Sequence, residues 1–466
     1  MNIPKYLLRK NYGLEKVQNL IRLSNEAGML TRQEIVSMLP PLLADIQSHH
    51  SVFDMCAAPG SKTAQALELI MSQHMKKNKK ANVDEVDGFV IANDASSKRA
   101  FMLTHQMNRL NTANISIVNH FAQNFPFLVE KESGELMQFD RVMCDVPCSS
   151  DAAIRKLPQK WLNWDTKDSI ELHPIQLKIL QTGLELLKVG GKIAFSTCSL
   201  NPIEDEAVVA AVLKQYGDKI KILETGVEGF KFEKGLTSWK VMTLKNRKDD
   251  SNPQDNFTSF DSFDDVTLRK DSKLEEALYP TMFSSNYSDE IKQELRKCLR
   301  VLPHYQDTSG FFITVITKVK EFDEVVEKQK AQQEKLKDSV QKVPCQVMGS
   351  RQFEYIKVPR KDPDMEYLMA YYGLSKEFPV DQLIAPNEEM KKIYFVTKPL
   401  MRFMSADHFN ELSLITMGCE VFIKNKSKHG NAVECIYRIA QDGIMNVVPY
   451  MTKRIIRTRN AEVLKQ

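Results

Sequence analysis

The stretch Phe139 to Ser150, FDRVMCDVPCSS, constrains the fold of this chain more than any other. Arg141 to Cys144 is a short apolar run that reads as a buried strand, and Pro147, which has no N–H for a sheet ladder, stops it. A strand ending there leaves a carboxylate, Asp145, and a thiol, Cys148, at its exit. In an open α/β sheet, ligands bind at the carboxyl ends of the strands, so both groups sit where chemistry is done. The same residues also read as a buried, inert cysteine beside a capping aspartate, and this stretch alone leaves both readings open.

Upstream, SVFDMCAAPGSKT gives a strand, Val52 to Met55, a small-residue turn, Cys56 to Ser61, and a helix, Lys62 to Gln73. Such a unit cradles an adenosine-type ligand: small residues admit the backbone to close range, and the amides of a helix start favour a carboxylate or phosphate. It is neither the dinucleotide GxGxxG nor a P-loop, and a tight β–α turn without a ligand is the plainer alternative. The second strand, Phe89 to Ala92, ends at Asn93-Asp94, where an acid can hold ribose hydroxyls. A Lys-rich loop, Lys76 to Lys80, stretches the interval from Asp54 to Asp94 well beyond the roughly 20 positions that are usual. A helix, Ser97 to Leu110, and a third strand, Ile115 to Val118, precede the Cys148 stretch. After it, a helix from Glu171 to Leu187, closed by Gly190-Gly191, feeds a fifth strand, Lys192 to Ser196. That strand exits into Thr197-Cys198-Ser199. Neighbouring fourth and fifth strands would face Cys148 and Cys198 into one pocket. Two thiols, an acid and an adenosine cradle on one sheet edge fit methyl transfer from S-adenosylmethionine to an unactivated ring carbon. Pyrimidine C5 is such a carbon, since it becomes nucleophilic only after something adds at C6, and a thiolate is the natural side chain for that addition.

The remaining sequence frames this core. With 466 residues, 27% of them charged, the chain suits a soluble protein of two to three domains at roughly 150 residues each. A net charge of +4 and a pI near 8.4 suit an RNA ligand without requiring one. Eight cysteines without a CxxC pair read as reduced thiols of a nuclear or cytosolic protein, with no metal site. No run approaches the ~20 apolar residues that span a bilayer. Leu14 to Leu43 has helical spacing, and Thr31 to Glu34 forms a capping box expected to open a second helix that Pro40-Pro41 ends. Asn246 to Asp265 reads as a polar loop, Phe311 to Thr317 as a last core strand and Glu321 to Lys342 as a charged helical linker. From Pro344 onward, β-prone runs such as Ile393 to Val396 and Glu420 to Ile423 alternate with basic clusters at Lys391-Lys392, Lys424 to Lys428 and Lys453 to Arg459. Tyr394, Phe422 and Tyr450 interleave with them, a combination suited to RNA that an ordinary charged face on a small β domain matches equally well.

Taken in order, DMCAAPGSKT, IANDASSKR, CDVPCS and FSTCSLNPIEDEA closely resemble the Sun-domain RNA cytosine-C5 methyltransferases, nearest their eukaryotic multisite tRNA branch. The resemblance implies an α/β fold: a doubly wound, Rossmann-like S-adenosylmethionine-dependent core over 49–320 with a polar insertion about 246–265. A helical lead-in (1–48), a linker (321–343) and an α+β, PUA-like accessory RNA-binding domain (344–466) complete it. It also implies a tRNA (cytosine-5-)-methyltransferase in which Cys198 is the nucleophile that adds to cytosine C6 and Cys148 helps release product. Asp145 would lie beside cofactor and cytosine, with Lys62 also in the catalytic set. Cys56, Ala57, Ala58, Pro59, Gly60, Ser61 and Lys62 would bind the methionine end of the cofactor and Asp94 its ribose, with Arg99, Phe121 and Asp145 completing the cofactor site. A monomer acting on tRNA, in the nucleus, nucleolus included, or the cytoplasm, is the corresponding expectation. The same chemistry on ribosomal or messenger RNA, and an RNA-binding pseudoenzyme, are the alternatives.

Three departures from the family pattern stand out. Phe121 replaces an acid thought to hold the adenine amino group, and a phenyl ring accepts no ordinary hydrogen bond. Ser149-Ser150-Asp151-Ala152-Ala153 stands where Ser-Gly-Asp-Gly-Thr is usual, so a positive φ at either glycine position would strain the residue there. Finally, the chain begins inside the family's amino-terminal RNA-binding segment, which leaves either a truncated sequence or substrate capture by the tail.

Overall fold

The computed structural model describes residues 7, 10–77, 85–130, 134–244, 257–269, 277–338, 355–406, 409, 412–425 and 435–456. Its strands are β1 (Ser51–Asp54), β2 (Phe89–Asn93), β3 (Ile115–Asn119), β4 (Phe139–Asp145), β5 (Leu187–Thr197), β6 (Ile220–Ile222), β7 (Glu233–Lys234), β8 (Val241–Leu244), β9 (Phe257–Phe260), β10 (Leu299–Val301), β11 (Phe311–Lys318), β12 (Ile356–Lys357), β13 (Leu383–Ala385), β14 (Lys392–Phe395), β15 (Ser413–Met417), β16 (Cys419–Lys424) and β17 (Tyr437–Ile439). The central sheet runs β15-β3-β2-β1-β4-β5-β11-β10-β7, with β6 also on β11. Strands β3, β2, β1, β4 and β5 are parallel, and β11 lies antiparallel to β5. Near-continuous burial along β1, β2 and β4 fits parallel strands covered on both faces.

The chain leaves β1 in one direction to build β2 and β3, then returns to place β4 and β5 on the other side. The order therefore reverses between β1 and β4, and a crevice forms at such a switch point. Of the helices near β1, α1 (Tyr12–Glu26) has no buried residue, α2 (Leu39–Leu43) packs by β5, and α3 (Ser61–Lys77) follows β1. The strands are fixed by an apolar layer of Phe53, Phe139 and Phe125, with the Phe53 and Phe139 rings stacked 5.0 Å apart. The Asp140 carboxylate ties β4 to β1 by accepting from the N–H and O–H of Ser51 at 2.9 and 2.7 Å.

Several sequence expectations give way here. No helix opens at Thr31; the chain enters a 3-10 turn at Val36 and then α2, where Pro40 and Pro41 occupy the first turn. Proline suits that turn because its missing N–H would have no partner there anyway. Gly190-Gly191 does not stop a helix. The helix Thr166–Glu185 ends before Leu187, and the glycines lie within β5, where the pairing with β4 jumps from Phe139↔Leu187 to Arg141↔Lys192. They mark a bulge, with Gly190 at φ 81°. The second half of the expected polar loop is ordered: β9 pairs with β8, and the helix Phe263–Arg269 follows. Its first part, 246–256, lies outside the described residues, as do Asn78 to Lys80, Pro344, Lys426 to Lys428 and 457–459.

The carboxyl-terminal portion forms a second sheet, β12-β13-β14-β16-β17, but β15 between its strands joins the edge of β3 in the central sheet. Phe403, Phe409, Leu412 and Met417 enter the same apolar cluster as Phe53 and Val118. Of the aromatics set among basic residues, Phe422 is fully buried and Tyr450 nearly so, so both are core rather than stacking platforms. Lys391, Lys392 and Lys424 pair with Glu389, Glu420 and Asp364.

Candidate active site

The turn from β1 to α3 and the loops leaving β4 and β5 meet at the switch point. Asp145 is the last residue of β4. Its Oδ2 accepts from Lys62 Nζ at 2.7 Å and its Oδ1 from Ser196 Oγ at 2.6 Å, so the carboxylate is clamped between α3 and β5. Beyond it, Cys148 and Cys198 converge with Sγ atoms 3.2 Å apart. Cys148, Cys198, Asp145 and Lys62 thus stand in one cluster, with the Lys62 ammonium over the Phe311 ring at 5.5 Å.

The thiols are not alike. The Cys198 thiol is drawn down to about 7, first because the Cys148 S–H hydrogen-bonds its sulfur and then through Ser150, while burial opposes. That same hydrogen bond, followed by burial, pushes Cys148 well up. The directions make Cys198 the more acidic sulfur of the two, and thiolate is the nucleophilic form. Cys56 and Cys144 are pushed up by burial, Cys56 also by the charges of Asp54, Asp145 and Asp94. Cys56 belongs to the wall of the site.

On the β1 and β2 side, Asp94 is buried and accepts from the N–H of Ala58 at 3.2 Å and of Ser96 at 3.0 Å, with Arg99 3.4 Å away. Arg99 also donates to the Ala58 carbonyl, stitching the turn to the helix that follows β2. Gly60 has φ 105°, and a Cβ there would come within 2.6 Å of Leu103 Cδ1 and 2.8 Å of Met107 Cε; the turn needs glycine at that position. Asp54 donates no charge freely to the site: burial raises its carboxyl to about 7, and its Oδ1 has no hydrogen-bond partner among the described residues. Two carboxylates, Asp94 and Asp145, thus flank one small-residue turn, with Asp54 buried behind it. That donor set suits a ligand with an ammonium or sulfonium cation and a sugar diol, and the residues present fit S-adenosylmethionine. Phe121 stands apart. It is 59% exposed on the rim after β3, in a loop tied to the site by the Asn93 side chain, which accepts from the His120 N–H at 2.9 Å.

The altered loop after Cys148 carries strain at one of the two glycine positions. Ser150 is left-handed at φ 61°, which costs a non-glycine residue ~1 kcal/mol. Ala152 and Ala153 lie in a 3-10 turn, Asp151–Ala153, and neither is among the positive-φ residues.

Sequence reasoning did not single out the acid that holds the two loops together. Glu204 is fully buried, accepts the Ser149 N–H at 2.8 Å, the Ser199 hydroxyl at 3.0 Å and the Gln176 amide at 3.0 Å, and also takes the Ser149 hydroxyl. Its neighbours act alike: Asp205 accepts from Thr197 Oγ1 at 2.6 Å, and Glu206 forms a two-point pair with Arg300 at 2.6 and 2.8 Å. The clue lay in Ala207 to Leu213, apolar on every face, because a helix with no polar face is buried and takes its leading acids with it.

Residues 41–251 match the family described as 16S rRNA methyltransferase RsmB/F, and 354–452 match the NSUN2 Pre-PUA domain. The multisite-specific tRNA:(cytosine-C(5))-methyltransferase of Saccharomyces cerevisiae is 34% identical, with 100% of this chain and 66% of that protein aligned. The corresponding Schizosaccharomyces pombe enzyme, trm4b, is also 34% identical, over 97% of this chain and 70% of its own length. A Drosophila melanogaster tRNA (cytosine(34)-C(5))-methyltransferase is 32% identical over 97% of this chain and 61% of its own. The chain therefore spans about two thirds of the length of these relatives. Likeness of this extent, running through both portions of the molecule, means that it belongs to the RsmB/F family of RNA methyltransferases, in the branch that holds the multisite tRNA cytosine-C5 enzymes.

Proposed function

We propose that this protein methylates C5 of cytosine in RNA, with tRNA as the substrate and S-adenosylmethionine as the methyl donor. The observation that carries this reading is the pair of thiols 3.2 Å apart, one ionising near neutrality, beside the clamped Asp145–Lys62 pair. The names of the relatives support tRNA. S-adenosylmethionine, when bound, supplies an electrophilic methyl group. Cys56 to Lys62, Asp94 and Arg99 would hold it, and Phe121 would offer a ring face at the rim.

The chain's own residues do the rest. The Cys198 thiolate adds to C6, and the electrons of the C5=C6 bond move onto C5 and the ring edge, so C5 becomes nucleophilic. Asp145 faces that edge at N3 and N4, and Lys62, bonded to it, offsets the developing negative charge. Once Cys198 is bonded to C6 it is no longer an anion that holds the Cys148 proton, and Cys148 gives that proton to solvent. After C5 has gained its methyl group, the Cys148 thiolate takes the C5 proton, the C5–H electrons re-form the C5=C6 bond, the C6–sulfur bond breaks, and Cys198 leaves as thiolate. The target base must be unpaired or flipped, because C6 in a stacked helix is out of a side chain's reach.

Covalent trapping tests this. Cys148→Ala incubated with tRNA and cofactor should accumulate a protein–RNA adduct that survives denaturing electrophoresis, and the unaltered protein should turn over. If the unaltered protein transfers no methyl group to any RNA and no variant forms an adduct, the pseudoenzyme reading replaces this one. Mapping 5-methylcytosine in cells lacking the protein separates tRNA from ribosomal and messenger targets.

A further inference from the structure

Ser150 belongs to the loop that carries one thiol and lies against the loop that carries the other. Its Oγ is 3.3 Å from Cys198 Sγ and 3.8 Å from Cys148 Sγ, and 3.4 Å from the Cys148 carbonyl oxygen. The hydroxyl thus reaches both sulfurs, nearest to Cys198. Its backbone is left-handed, a conformation that glycine adopts without strain but glycine would bring no hydroxyl. A residue kept at positive φ beside reacting atoms points to a use for its side chain.

We propose that Ser150 is a positioning residue for the nucleophile: its O–H donates to the Cys198 sulfur when that sulfur is an anion and holds it aimed out of the loop. This rests on Cys198 being the nucleophile of the methyl-transfer reading. The groups that face the Cys198 sulfur are Cys148 and Asp145 from the β4 exit, Lys62 from α3, Ser150, and Lys156 farther along the loop, while Glu204 acts on Cys148. Two of them, Cys148 and Ser150, hydrogen-bond the sulfur. Cys148 ceases to be a donor once it has given up its proton to serve as base. Ser150 does not ionise, so it is the donor that remains through the step in which Cys198 must leave as a thiolate.

The test is iodoacetamide alkylation of the full-length protein across pH, with peptide mass mapping to separate Cys198 from the other thiols. Ser150→Gly and Ser150→Ala both remove the hydroxyl, but glycine relaxes the left-handed backbone and alanine does not. In both variants the Cys198 midpoint should rise by about one pH unit, with alkylation near neutral pH slowed ~10-fold, as loss of a hydrogen bond to an anion requires. Midpoints equal to the parent's, or a rise in alanine alone, would overturn the proposal, the second because it would trace the effect to the backbone. Should Ser150→Ala fail to fold, Ser150→Gly decides by the same midpoint. Alkylation needs neither RNA nor cofactor, so a protein that shows both shifts yet methylates no RNA would sustain the Ser150 assignment while removing the methyltransferase reading.

Discussion

At the scale of single residues the two sulfurs divide the work by their surroundings. Because the hydrogen bond between the two thiols is the largest influence that lowers Cys198, replacing Cys148 by alanine removes it. Iodoacetamide should label Cys198 in the unaltered protein with a midpoint near 7, and Cys148→Ala should shift that midpoint upward. An unchanged midpoint would mean that the thiol pair is not coupled in solution. In the catalytic assay, Cys198→Ala should bind RNA without ever forming the adduct, since a methyl group has no lone pair to add to the ring. An adduct in Cys198→Ala would exchange the two roles. The places of Asp145, Cys148, Cys198 and Asp94 were legible in the sequence because each stands at a strand exit that apolar runs and a proline delimit, whereas Lys62 was named for the site only through the family resemblance. The strained backbone of Ser150 was legible only as a condition on φ, for loop closure sets that angle and no local pattern reports it. Phe121 could be named but not placed, because a lone aromatic after a strand is compatible with core and rim alike.

Among elements, the loops that carry the thiols are held less by their own turns than by the acids leading the helix Glu206–Tyr216 and by the helix Thr166–Glu185 behind them. Glu204→Ala would leave the Ser149 N–H and hydroxyl, the Ser199 hydroxyl and the Gln176 amide short of their shared acceptor, and a buried donor left unpaired costs ~1–3 kcal/mol. Urea unfolding should show a loss of several kcal/mol, and a loss under ~1 kcal/mol would deny Glu204 this role. His173 ties the same region, its Nδ1 2.7 Å from the Ile203 carbonyl and its Nε2 2.8 Å from the Thr281 hydroxyl. Burial lowers its pKa from 6.5 to about 4. Between those values the unfolded chain binds a proton that the folded protein refuses, so stability from this group is full above 6.5 and falls as pH drops toward 4. His173→Gln should therefore flatten the acid side of the stability profile over that window, and an identical slope in parent and variant would exclude His173 as its source. Strands β1 to β4 were readable to within a residue or two because their apolar runs are short and bounded, whereas β5 begins at Leu187, well before the expected Lys192. The direction of β11 and the bulge at Gly190-Gly191 were not, since each depends on which element lies alongside.

At the scale of the whole molecule, the sequence suggested a catalytic portion and a tail joined by a charged helix, but the central sheet crosses that division. Strand β15, Ser413–Met417, pairs antiparallel with β3, with Ser413 opposite Asn119 and Met417 opposite Ser116. The periodicity of a five-residue strand could not reveal this, because it shows that a strand forms and never which edge it joins. Strand β3 runs straight into Asn119, whose side-chain amide donates to the Asp94 carbonyl at 2.6 Å, so the tail supports the strand that steadies the cofactor side of the site. A chain ending at Asp338 would leave the β3 edge unpaired and uncover the apolar surface now met by Phe403, Phe409, Leu412 and Met417. Burying one such side chain is worth ~1.5–3 kcal/mol, and several of them together approach the whole stability of an ordinary domain, ~5–15 kcal/mol. A bare strand edge also invites pairing between copies. The shortened chain should consequently melt well below the full chain and aggregate as it does so, losing S-adenosylmethionine binding along with RNA binding. Differential scanning calorimetry and light scattering on the two proteins decide the matter. A soluble, monodisperse shortened chain that melts within a few degrees of the parent and binds S-adenosylmethionine equally well would show that the tail adds to the sheet without supporting it.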